Sequence, residues 1–131
     1  METITLPRTG DRPLQFEGDE IASADSRMIS GQQANRWHEL ALYSTESGKY
    51  VISVGYRTQW QGELNHDSAI ICVDPEAVTE ELKRVNPLAH FVGFPSGGQY
   101  AEKQARLERD ITARFGAAVS ELLSDMTPER I

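Results

Sequence analysis

Cysteine is almost missing. Cys72 is the only one, so no internal disulfide can form. It sits in an apolar run, Ala69-Ile70-Ile71-Cys72-Val73, where a buried, inert thiol is expected rather than a nucleophile. Long hydrophobic runs are missing too. No segment approaches the roughly 20 apolar residues of a membrane span. The start, Met1-Glu2-Thr3-Ile4, has neither the basic region nor the apolar core of a secretory signal. A cytoplasmic protein with no membrane partner is the expectation. A basic stripe is also lacking. The net charge of −7 falls as −3 over residues 1–35, +1 over 36–60, −4 over 61–87 and −1 over 88–131. Phosphate contacts supply most of the affinity for nucleic acid, so a nucleic-acid partner is not expected. An acidic surface keeps a protein soluble and can steer a basic partner.

What is present is periodic. At 131 residues the chain fits a single domain, 1–131. A domain of this size buries about two-thirds of its unfolded surface, so its core needs no metal. Residues 3–6 read as a short strand, broken between Pro7 and Pro13. Leu14 and Phe16 then alternate with polar residues. Beyond Gly18 the apolar parity flips, which predicts a bulge or bend at that glycine. The polar residues 23–33 read as a flexible connection.

Residues 36–60 carry the strongest pattern, a hairpin around Ser44-Thr45-Glu46-Ser47-Gly48-Lys49. His38, Leu40 and Leu42 share one face of the first strand, and Trp37, Glu39, Ala41 and Tyr43 the other. In the return strand Tyr50, Ile52, Val54 and Tyr56 alternate with Val51, Ser53, Gly55 and Arg57. Gly48 suits the left-handed residue of the loop. Residues 69–73 predict a buried strand, and Phe91-Val92-Gly93-Phe94 a further short one.

Two helices are expected. Asp74 caps the first, with Pro75 at its first position, and Pro87 lies beyond its end. Val78, Leu82 and Val85 give it one apolar side. The second covers residues 98–126. Leu107, Ile111, Phe115, Ala118, Leu122 and Met126 recur at three- and four-residue intervals. Gly116 would bend it or allow close approach to the sheet. The order of elements predicts an α+β domain: a curved antiparallel sheet with the long C-terminal helix packed across one face.

Chemistry is sparsely marked. His38, His66, His90 and Cys72 lack the short ligand spacings of a zinc site, so neither a metal nor a cofactor is expected. No nucleophile-elbow pattern is present. Glu17, Asp19 and Glu20, like Glu80 and Glu81, sit in polar sequence and read as solvated faces rather than an acid–base pair. The loop Gly93-Phe94-Pro95-Ser96-Gly97-Gly98 opens a helix, so Gly97 and Gly98 could offer N–H groups to an anion. It matches neither a P-loop nor a dinucleotide fingerprint.

The segment Phe16-Glu17-Gly18, followed by Leu42-Tyr43-Ser44-Thr45-Glu46-Ser47-Gly48-Lys49-Tyr50-Val51, resembles the core of small bacterial proteins such as the EXLDI group. The resemblance spans residues 14–54. It implies a small bacterial protein and no particular activity.

Two functional expectations follow. The first is a non-catalytic interaction protein, such as an inhibitor, immunity-type protein or accessory subunit. It would act through its acidic surface or through a sheet face bearing Trp37, Ala41 and Tyr43, on a foreign protein or on a second copy as a homodimer. The second is a small-ligand binder or enzyme, with a pocket between the sheet and the long helix that uses His38, Glu39, Arg57 and His90.

Overall fold

A computed structural model describes residues 1–29, 32–93 and 98–126. Strands β1 (Glu2–Leu6), β2 (Leu14–Asp25), β5 (Arg36–Thr45), β6 (Tyr50–Thr58) and β7 (His66–Cys72) form one antiparallel sheet in the order β1-β2-β5-β6-β7. Strands β3 (Met28–Ile29) and β4 (Gln32–Gln33) form a separate small pair. Helices α1 (Pro75–Arg84) and α2 (Gly98–Ser124) follow. The fold is α+β, with a curled sheet and a long C-terminal helix across one face.

The central hairpin closes where the sequence places it. Leu42 pairs with Ile52 and Tyr43 with Val51. Gly48, at φ 84°, takes the left-handed turn position. The Thr45 hydroxyl accepts from Lys49 N–H at 3.0 Å and stiffens the tip. Even-numbered residues of β5 and β6 face the helices. Leu40, Leu42, Ile52 and Val54 bury against Val78 and Leu82 of α1 and against Phe115, Ala118 and Leu122 of α2. Each such large side chain contributes about 1.5–3 kcal/mol by leaving water. Cys72 lies in this core, and burial raises its thiol pKa.

The other face is closed differently. Across from the hairpin tip, β1 and β2 fold back over the sheet. Thr9 N–H donates to the Asp67 carbonyl at 2.8 Å, and the Thr9 hydroxyl accepts from Asp67 N–H at 2.8 Å. The sheet therefore curls away from the helices, which pack on its convex side. Beneath the folded-back hairpin, Leu6 and Val51 are buried and Phe16 meets Tyr43 edge-on at 5.6 Å.

Several local expectations are corrected. The bulge is not at Gly18 but between Glu20 and Ala22, where Ile21 is the extra, exposed residue. The parity flip is real, since Ala22 and Ala24 then turn toward the helices. Residues 23–33 are not one loose connection, because β2 continues to Asp25 and β3 and β4 pair. Strand β7 runs from His66, ahead of the apolar run, to Cys72, and it is an edge strand rather than a buried one, with Cys72 buried but Ile71 and Val73 exposed. Residues 91–93 form no strand, and Phe94 lies outside the described residues. Helix α2 runs through Gly116, where an added Cβ would meet nothing within 4 Å, so no close approach to the sheet occurs there.

Candidate functional site

The residues expected to share one ligand site lie on two faces. His38 and His90 are on the helix side, whereas Glu39 and Arg57 are on the concave side. Gly98 begins α2 and is exposed, and Gly97 lies outside the described residues. Between sheet and helix the space is filled by the apolar side chains named above.

On the helix side, Tyr56 gathers the three histidines. His38 is 3% exposed, with its ring 5.3 Å from Tyr56 and 4.8 Å from Phe115 of α2. His66 and His90 stack at 3.6 Å, and His90 lies 6.2 Å from Tyr56. The stacked rings present faces to one another. A metal needs ring nitrogens aimed at one point, and no group of three potential ligands is so arranged among the described residues. Burial, then the neighbouring His90, lowers the pKa of His38 to about 4, against a smaller opposing contribution from a hydrogen bond with the Pro87 backbone. Among the described residues Nδ1 of His38 has no hydrogen-bond partner. Burial and then His66 lower His90 as well.

At the end of this cluster Arg36 is held between the rings of Trp60 and Phe91, at 4.8 and 4.7 Å from their centroids. Its Nε and Nη2 both donate to Glu63 Oε2, each at 2.7 Å. The Tyr56 hydroxyl donates to Glu63 Oε1 at 2.7 Å. Burial pushes Glu63 up, but the hydrogen bonds and charge facing it outweigh burial and hold its pKa low. Burial first, then Glu63, raises Tyr56. A carboxylate fully engaged by a fixed cation and a phenol is a structural tie, not a free base. Sequence reading missed this group because Arg36 and Glu63 are 27 positions apart, with Glu63 in a polar loop of no pattern.

The concave face carries the open surface. A trough of about 540 Å³ is lined by Glu20, Asp25, Glu39, Ser53, Arg57 and Glu121, among others. Arg57 lies flat over Gly55, where a Cβ would come within 2.8 Å of its Nη2. It donates to Glu39 at 3.1 Å and to Asp67 at 2.7 Å. Glu39 also accepts from the Trp37 indole at 3.2 Å. Trp37 is itself 8% exposed, with the Arg27 guanidinium 4.4 Å from its ring centroid. Of the three residues expected to form an interaction patch, Trp37 is thus covered by Arg27 and Tyr43 meets Phe16. Ala41 alone opens on the trough.

No family model, curated protein or solved structure matches this chain. No helix among the described residues is long and apolar enough to cross a membrane.

Proposed function

We propose that this is a non-catalytic interaction protein that receives a basic protein partner on its concave sheet face. The observation that carries the reading is the acidic trough. Its lining holds four carboxylates, Glu20, Asp25, Glu39 and Glu121, against the one guanidinium of Arg57. Arg57 is already bridged between Glu39 and Asp67. Glu20, Asp25 and Glu121 form no ion pair among the described residues and line an open surface, in a chain of net charge −7. Such a surface attracts cationic partners at long range and loosens with salt.

Charge reversal tests the reading. Glu20 and Glu121 are exposed, so Glu20→Lys with Glu121→Lys leaves the core intact. Anisotropy of a fluorescent lysine-rich peptide is expected to report at least tenfold weaker binding to the double variant at low salt. Equal binding to both proteins overturns the assignment to the trough. No binding to either overturns the reading itself.

A further inference from the structure

Strand β7 is the outer strand of the sheet, and beyond Asp67, where Thr9 covers it, its edge is not defended. Natural edges are blunted by proline, lysine, a bulge or a cover, since an open row of N–H and C=O groups recruits strands. The register of β7 against β6 is unbroken from His66 to Cys72, with no proline, lysine or bulge. Asp67 turns its backbone outward, where Thr9 caps it. By the two-residue alternation of an antiparallel ladder, Ala69 and Ile71 also turn their N–H and C=O outward. Among the described residues no hydrogen bond reaches those groups. The neighbouring side chains are apolar and solvated, with Ile71 55% and Val73 68% exposed.

Beside this edge lies a second cavity of about 530 Å³, lined by Leu14, Phe16 and Ile71 and rimmed by Glu17, Glu46 and Lys49. A strand laid along Ala69 and Ile71 would point every second side chain toward it. We propose that β7 binds an extended segment of a partner protein by strand addition, with an apolar residue entering this cavity and lysine or arginine at the alternating positions. Backbone pairing supplies the affinity and the cavity the selectivity. The charge requirement follows from the surroundings. Asp74 and Glu76 follow the strand directly and Glu17 and Glu46 rim the cavity beside Lys49, whereas Glu63, Asp67, Glu80 and Glu81 are each paired with an arginine or lysine. A second copy would set this acidic segment against itself, whereas a basic segment meets complementary charge. The inference rests on the interaction reading and names its partner and its mode.

The probe is a labelled Lys-Val-Lys-Val-Lys-Val-Lys peptide, with its glutamate counterpart and a Lys-Gly repeat as controls. Anisotropy should show saturable binding of the first alone. Amide exchange should slow at Ala69 and Ile71. Ala69→Pro removes one outward N–H without touching the β6 ladder, and Ile71→Glu places a charge at the cavity. Each should weaken binding at least tenfold, with exchange in the folded core as the check on integrity. Binding equal in both variants but lost in the Glu20→Lys, Glu121→Lys protein overturns strand addition and leaves the trough reading standing. Equal binding of the Lys-Gly repeat does the same. A concentration-dependent dimer that protects Ala69 and Ile71 overturns the foreign strand in favour of a second copy. Failure of every basic peptide overturns both readings.

Discussion

His38 is the residue at which acid acts on this fold. Burial holds its folded pKa near 4, below the ordinary 6.5. Between those values the unfolded chain binds a proton that the folded chain refuses, so stability falls as pH falls. Tyr56, Phe115, His90 and, behind His90, His66 pack around it, none of them an anion that could hold the imidazolium in place. Between pH 7.5 and 5 the loss should be about 2 kcal/mol. The lowered pKa of His90 adds to it in the same direction. Urea unfolding at the two pH values measures the loss, and His38→Leu should remove most of it. Gly18 is the second sensitive residue. A Cβ there would lie 2.1 Å from the Ser44 carbonyl oxygen, and backbone cannot yield as a side-chain tip can. Gly18→Ala should cost about 2 kcal/mol or more, read as a lower urea midpoint at unchanged slope. In the sequence that glycine looked like a bulge; it is instead the point where two strands pass too closely for a side chain.

Among the elements, the helices and the central hairpin were legible because their signals are local. Asp74 accepts from Ala77 N–H at 2.7 Å, as a cap followed by Pro75 should. The spacing from Ile111 to Leu122 marked the buried side of α2 correctly. Alternation in β5 and β6 survived because one face of each strand is packed against helices. Strand β7 was read short, since His66, Asp67 and Ser68 carry no apolar signal and are strand only because β6 offers a partner. Gly116 gives a prediction at this scale. It is exposed, inside a continuous helix, with open space where a Cβ would go. Gly116→Ala should therefore stabilise the protein by about 0.5–1 kcal/mol, visible as a higher thermal midpoint.

For the whole molecule, the question left open by the hairpin was what covers its second face. The β1–β2 hairpin covers the Tyr43 end by folding back until Thr9 reaches Asp67, 58 residues away in sequence. Arg27 covers the Trp37 end. Between them the acidic trough remains open, and beside them the β7 edge. Neither could be read from spacing. Glu20 and Glu39 stand on the neighbouring strands β2 and β5 and Glu121 on α2, so only the packing of helix against sheet edge brings them to one trough. The ligand set His38, Glu39, Arg57 and His90 failed to assemble for the same kind of reason. His38 and Glu39 are adjacent on a strand and so point to opposite faces.

The sequence by itself determined the α+β class, the hairpin and the two faces of its strands, the helix cap and the apolar side of the long helix, since each rests on periodicity or capping within a few residues. Only the tertiary structure decided which sheet face stayed free of helix, where the carboxylates converged and which edge stayed unpaired. Those depend on strand twist and long-range closure, and no local run of residues records where a curled sheet will meet itself.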